Sequence, residues 1–492
     1  MKIAIIGAGI AGIASSIRLS KQGHEVVVYE SNKYPGGKLS QLELKGYRFD
    51  AGPSLFTMPQ FVDELFLLAN KDPREFFNYK KIDVSCHYFY EDGTIINGYS
   101  DKEKLGEEIE KKIAVPKNKV VDFLNHSLKI YNITSPIFLE KSLHKIKSYL
   151  QPKVIESLFQ LQKLNLFTNM NKLNKKKLTH PKLVQLFNRF ATYNGSDPYR
   201  APAVLNIIPS LEHHFGTYFP LKGMVDITES LYKLSLSLGV KYNFERKISE
   251  IIVENKKAVG IKIKEETVSY DCVLSNMDVV PTYKYLLPNE KINPKLLEQE
   301  RSSSALIFYW GIKKEFPQLG LHNIFFSENY AEEFRVMNEE KSIYSDPTIY
   351  LNISSTERSV DAPANSQNWF VLINAPYNDG QNWEQVIIET KKNVLAKLSR
   401  ILKADILQLI EVESILDPTS IEKKTQSYKG SLYGTSSNGL FSSFMRHPNF
   451  SKKIKGLYFC GGSVHPGGGI PLCLQSAKIV SEIIQQDFEN RT

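Results

Sequence analysis

The chain has 492 residues, 42% hydrophobic and 23% charged, a globular balance with room for two or three domains. Its net charge of +9 favours an anionic partner such as lipid headgroups, and no nucleic-acid recognition motif accompanies that charge. Scattered cysteines, no signal-peptide pattern and no run of about 18 apolar residues argue against a metal site, secretion and a membrane span, so a cytoplasmic protein, soluble or peripheral, is expected.

Lys2–Ile6 is a short apolar run of the kind that forms a strand buried on both faces. Gly7-Ala8-Gly9-Ile10-Ala11-Gly12 then fits G-x-G-x-x-G. Residues 13–22 have helical spacing, Gly23 stops them, and Glu25–Tyr29 is a second apolar strand closed by Glu30. Gly7 permits the tight turn, Gly9 lets a pyrophosphate approach the backbone, and Gly12 lets helix and strand pack closely. The helix N-terminus behind Ala8, Ile10 and Ala11 turns free N–H groups and a positive dipole end toward phosphates. Glu30, followed by Ser31, falls about 20 residues beyond the glycines, where a carboxylate accepts from ribose hydroxyls and repels a 2′-phosphate. FAD or NAD is expected over NADP.

Pro35-Gly36-Gly37-Lys38 places a glycine pair and a cation where they can wrap the pyrophosphate. A strand expected over Gln41–Phe49 leads into Asp50-Ala51-Gly52-Pro53-Ser54, a segment that a plain nicotinamide domain lacks. The stretch GGKLSQLELKGYRFDAGPSLFTMP resembles the phytoene and carotenoid desaturase family of FAD-dependent oxidoreductases. Lys38 departs from the arginine that many members carry, keeping the charge without the bidentate fork. The resemblance implies an α/β architecture with a Rossmann-type, GR2-like FAD-binding domain built from residues 1–60, 240–280 and 430–492. An α+β substrate domain, membrane-facing, would be inserted as residues 61–239 and 281–429. Pro53 and Ser54 would belong to the cofactor site.

Residues 138–186 set Phe138, Leu139, Leu143, Ile146, Leu150, Ile155, Leu158 and Phe159 among Lys141, Lys145, Lys147 and Lys153. That pattern reads as an amphipathic helical cap or a membrane-surface patch, and Lys175-Lys176-Lys177 as a solvated loop. The segment 207–220, followed by Gly223-Met224, resembles the family's stretch near a substrate tunnel. Its Glu212 and His213 are the acid–base candidates, with a buried structural pair as the alternative. Strands are expected over residues 239–244, 248–253, 258–263 and 270–274. The resemblance puts the backbone of Ile248 beside the adenine, and Asn276 and Met277 at the return to the cofactor.

Gly456–Gly462 reads as a strand entering a glycine turn, and Leu472–Gln485 as a helix with Pro471 at its first position. A helix N-terminus behind such a loop stabilises negative charge on a reduced flavin, so Gly462, Ser463, Gly469, Ile470 and Pro471 complete the cofactor site. The segment GLYFCGGSVHPGGGIPLCLQSAKI resembles the family's C-terminal signature. Many flavin oxidases have aspartate where Gly462 stands, whereas the carotenoid branch commonly has a small residue. His465 is read as a structural part of the loop, and Cys460 and Cys473 as packing residues. The resemblance implies FAD and an acyclic carotenoid, in particular C-3,4 desaturation of a 1-hydroxycarotenoid by hydride transfer to flavin N5. The substrate would be collected at a membrane surface, and the electron acceptor is left open. Multi-step phytoene desaturation is the runner-up. A non-catalytic isoprenoid escort comes next, and amine-oxidase activity last, since nothing marks an amine cage.

Overall fold

The computed structural model describes residues 1–139, 141–145, 152–160, 164–165, 167–439, 442 and 446–490. Apolar residues on both faces commit β1 (Lys2–Ile6) and β2 (Glu25–Tyr29) to the middle of a parallel sheet. Five parallel strands run in the order Leu457–Phe459, Cys272–Ser275, β1, β2, Lys241–Asn243, so three distant parts of the chain build one sheet. Helix α1 (Ile10–Lys21) joins β1 to β2 and packs against the C-terminal helix Ile470–Glu489. Both helices start earlier than their spacing suggested, because Gly9 and Gly469 serve as N-caps. Pro471 therefore takes the second helical position, where the N–H also lacks an intrahelical acceptor.

The single strand expected over Gln41–Phe49 is a hairpin of β3 (Gln41–Leu44) and β4 (Tyr47–Asp50). Lys45 (φ 45°) and Gly46 (φ 88°) both turn left-handed, the twist a two-residue hairpin connection favours. A strand that the sequence did not suggest, Glu266–Ser269, pairs with Lys257–Ile263, which in turn pairs with Glu250–Glu254, in a separate antiparallel sheet. Helices α2 (Gln60–Leu68) and Val225–Ser237 share a core with α1 and the C-terminal helix through Ile17, Val62, Phe66, Leu231 and Leu474. The core around α1 thus extends past residue 60 and begins again before residue 240.

Two strands from before residue 100 and five from after residue 300 form one seven-stranded sheet. Its order is Ile410–Leu416, Ser304–Ile312, Gln367–Ala375, Ile349–Asn352, His322–Phe325, Val84–Phe89, Ile95–Tyr99. Alternation divides its faces. Trp310, Trp369 and Val371 pack toward the helix Trp383–Leu402, while Tyr309 and Phe370 pack toward Tyr47 and Phe49 of the hairpin.

The region expected as a helical cap carries helices Pro152–Phe159, Met170–Leu178 and Pro181–Asn188. Lys175–Lys177 stand in the last turn of the second of these and not in a loop, where cations complement the helix dipole. Lys141 and Lys145 are not free surface cations: each pairs at 3.1 Å with the C-terminal helix, through Glu482 and Asp487. Ile146, Lys147 and Leu150 lie outside the described residues, as do the side chains of Lys153, Leu158 and Phe159.

Candidate cofactor and substrate site

The glycine loop is held at both ends by main-chain geometry. Gly7 donates to the Tyr29 carbonyl at 2.8 Å, and Gly36 donates to that of Ala8 at 2.7 Å, which ties the second glycine turn to the first. A Cβ on Gly12 would fall 2.2 Å from the Gly7 carbonyl oxygen, and one on Gly37 would touch the Cα of Gly9 at 3.5 Å. Glu30 is buried and already engaged. One carboxylate oxygen accepts from the Ala8 N–H at 2.8 Å, the other from the Asn32 backbone (2.8 Å), the Asn32 amide (2.9 Å) and Ser31 (3.2 Å). The carboxylate therefore locks the loop to the end of β2.

The loop 51–54 is positioned from below. Arg48 reaches Asp50 at 2.7 Å and Asp361 at 3.1 Å, a buried bridge between the hairpin and the seven-stranded sheet's side of the molecule. Asp50 also accepts from Met224 N–H (3.0 Å), and Tyr309 Oη donates to the Ala51 carbonyl (2.9 Å). Gly52 lies so close to Lys38 that a Cβ would sit 1.8 Å from its carbonyl oxygen. The Lys38 ammonium donates to the Leu432 carbonyl at 2.9 Å, and burial pulls its pKa down.

At the far end, Ser463 Oγ accepts from Val279 N–H at 3.0 Å, Gly461 N–H donates to Ser476 at 3.1 Å, and Arg446 donates to the Gly462 carbonyl at 3.3 Å. His465 is a structural residue as well as a wall residue. It is buried, its Nε2 donates to the Lys141 carbonyl at 2.8 Å, and burial pulls its pKa to about 4. Burial likewise pushes the thiols of Cys460 and Cys473 up, to about 12 and about 11, so neither is a ready thiolate.

One cavity of about 1760 Å³ joins these parts. Gly7, Gly9, Ile10, Ala11, Glu30, Ser31, Gly36, Gly37 and Lys38 line it, as do Pro53, Ser54, Ile248, Asn276 and Met277. The C-terminal loop adds Gly462, Ser463, Gly469, Ile470 and Pro471. Ala8 and Gly12 are not on its wall, because they are turned inward to Glu30 and Gly7. Its volume exceeds the roughly 300–1,000 Å³ that a drug-sized ligand needs, leaving room for a dinucleotide and a second long molecule. The helix N-terminus without acidic side chains in its first turn, the side-chain-free approach at Gly9 and the enclosed Lys38 charge all fit a dinucleotide diphosphate.

Glu212 and His213 do not reach the cavity directly. Both are buried and neither lines the cavity. His213 Nδ1 is bonded to the Tyr99 carbonyl at 2.9 Å, and Glu212 accepts from Tyr193 while standing 3.8 Å from Arg189. They sit on a short buried helix that also carries Ile208 and Leu211, which do reach the wall. Wall residues that the sequence reading missed are Arg189, Tyr193, His322 and Tyr350. No local motif surrounds them; only strand alternation at His322–Phe325 and Ile349–Asn352 could have hinted at the last two.

Fold and site together define a Rossmann-type dinucleotide-binding oxidoreductase. A family model described as an NAD(P)-binding Rossmann-like domain matches residues 5–70. The chain is 50% identical to 1-hydroxycarotenoid 3,4-desaturase of Flavobacterium sp. (strain P99-3) over 483 residues, covering 98% of this chain and 99% of that protein. It is 31% identical to 4,4′-diapolycopene oxygenase of Methylomonas sp over 492 residues, covering 99% of each. Putrescine oxidase bound to putrescine shares the fold at a TM-score of 0.64 and 14% identity, covering 100% of both chains. The chain belongs to the carotenoid desaturase family.

Proposed function

We propose that this protein is an FAD-dependent desaturase that introduces the C-3,4 double bond into a 1-hydroxycarotenoid. The observation that carries the reading is the single cavity shared by the dinucleotide loops and a long apolar wall, on a chain half identical to a 1-hydroxycarotenoid 3,4-desaturase. When bound, FAD supplies the two-electron acceptor that a C–C desaturation needs. The glycine turns, Glu30 and Lys38 would hold its ribose and diphosphate, with Ile248 beside the adenine and Gly462–Pro471 at the flavin end.

The apolar arm of the cavity is lined by Tyr131, Phe138, Val204, Ile208 and Leu211, which exclude water from a polyene. Burying such a chain is worth about 0.8 kcal/mol per methylene, so affinity comes readily and placing one C–C bond is the harder task. The reaction also releases a proton. Tyr193 is a wall group joined to a buried carboxylate beside the apolar residues Ile208 and Leu211, donating to Glu212 while accepting from Arg189 at 2.7 Å. Glu212 thus enters as a proton acceptor reached through Tyr193, with His213 in a packing role.

An insoluble substrate has to be drawn from lipid, and the chain carries features for that. Phe167 is 96% exposed and Ile155 41%, near in sequence to the exposed Lys172, Lys175 and Lys176. Among the described residues no helix is long and apolar enough to cross a membrane, so the reading is peripheral attachment, at the cytoplasmic face. Purified protein loaded with FAD and given a 1-hydroxylated acyclic carotenoid should red-shift the carotenoid spectrum. A shift with phytoene alone would transfer the assignment to a multi-step phytoene desaturase. Isoprenoid binding by a protein that takes up no flavin would favour an escort.

A further inference from the structure

The floor of the cavity is the face of the seven-stranded sheet that looks toward the hairpin. In register across it lie Ile324, Tyr350, Leu372 and Ile307, three aliphatic residues and one phenol. The phenol is not idle. Tyr350 Oη lies 2.7 Å from Ser54 Oγ and 2.7 Å from His322 Nδ1. The Asn352 amide nitrogen donates to the Leu321 carbonyl at 3.0 Å and also faces His322 Nδ1 at 3.2 Å. We assign the imidazole proton to Nε2, which is buried without a partner among the described residues, because the Asn352 amide nitrogen faces Nδ1; in that tautomer Nδ1 takes the Tyr350 proton. Burial lowers the His322 pKa to about 3, which keeps the ring neutral in that role. Ser54 then donates to Tyr350, and the chain of bonds leaves oxygen lone pairs of Ser54 and Tyr350, both partly exposed on the cavity wall, with no proton of their own to offer.

We propose that Tyr350, oriented by His322 and backed by Ser54, accepts a hydrogen bond from the terminal hydroxyl of the substrate and so selects a 1-hydroxylated carotenoid and the bond to be desaturated. This rests on the function proposed above. In such a molecule the hydroxyl oxygen is three bonds from C-3, so the two lie within roughly 4 Å. The hydroxyl site must then adjoin the redox end of the cavity. We place Ser54 there because Gly52 of its loop packs on the Lys38 carbonyl and the Lys38 side chain runs to the Leu432 carbonyl, close enough to Cys473 in the first turn of the C-terminal helix for their charges to interact. A hydrocarbon end at this place would displace water from the Ser54 and Tyr350 oxygens and return no hydrogen bond, which is how a built polar subsite rejects an analogue lacking the hydroxyl.

The test compares a 1-hydroxylated acyclic carotenoid with its counterpart lacking the hydroxyl, on FAD-loaded wild type, Y350F and H322F. In the wild type kcat/KM should favour the hydroxylated compound at least about a hundredfold. In Y350F that ratio should fall at least about tenfold, and product analysis should show double bonds placed away from C-3,4. H322F should lower the ratio less, through KM for the hydroxylated substrate, and add nothing to Y350F in the double variant, as a positioning residue must. Flavin absorbance per protein tracks folding. If Y350F holds no flavin, the wild-type ratio and H322F decide. Equal losses on both substrates with unchanged regiochemistry, or a wild-type ratio near one with both compounds turned over, overturns the subsite. A wild type that turns over neither compound overturns the proposed function instead.

Discussion

Asn276 plugs the inside of the glycine loop: with its amide oxygen turned to the loop, it accepts from the N–H groups of Gly9 and Gly12 at 3.1 and 3.3 Å. The contact is tight enough that a Cβ on Gly9 would lie 2.7 Å from that amide. Asn276 follows the strand Cys272–Ser275, so a residue from the middle of the chain satisfies donors that the start of α1 leaves free. Replacing it with leucine removes the acceptor and strands those donors, at about 1–3 kcal/mol. N276L should therefore bind FAD about tenfold or more weakly, read by flavin fluorescence titration, with the fold retained by circular dichroism.

Arg48 binds two carboxylates in the interior, Asp50 next to the cofactor loop and Asp361 next to the seven-stranded sheet. Removing the guanidinium leaves Asp50 buried without a counter-charge, while Asp361 keeps Arg358, and stranding that one acid costs about 3–5 kcal/mol. R48L should show a lower urea midpoint and lose flavin before the wild type does. The double change R48L/D50L, which removes the stranded acid along with its partner, should recover part of that loss.

His465 gives an acid limit to stability. Its folded pKa is about 4 against 6.5 for the free side chain, because burial disfavours the charged ring. Above pH 6.5 the ring is neutral in both states, and its contribution is intact. As pH falls from 6.5 toward 4 the unfolded chain takes up the proton first, and at about 1.36 kcal/mol per unit roughly 3 kcal/mol is lost. Thermal scans across that interval should show a falling midpoint, and H465N should flatten the slope.

Phe167 protrudes almost fully into solvent beside a lysine-bearing helix. Sedimentation with vesicles containing anionic lipid should pellet the wild type and release it with added salt. F167D should weaken pelleting several-fold, and K172E/K175E should remove the salt dependence, while turnover of detergent-dispersed substrate stays near wild type. Binding to neutral and anionic vesicles alike, unaffected by these changes, would place the lipid contact elsewhere.

The sequence by itself determined the parts whose physics is local. A turn that needs Gly7, an acid at Glu30 closing an apolar strand, and a glycine loop before Ile470 are short-range requirements, and they are readable without the fold. Even there the hairpin at Lys45-Gly46 was missed, because its left-handed turn is carried by a lysine as well as a glycine. Glu212 and His213 are paired in sequence, yet burial on a short helix keeps both off the wall, and Tyr193 connects Glu212 to it. Only the tertiary structure decided that Ser54 shares one chain of hydrogen bonds with His322 and Tyr350, hundreds of residues further along. Sheet register chooses which side chains meet across strands and which face the cavity, and register is fixed by pairings between remote segments, so no reading of neighbours along the chain can supply it.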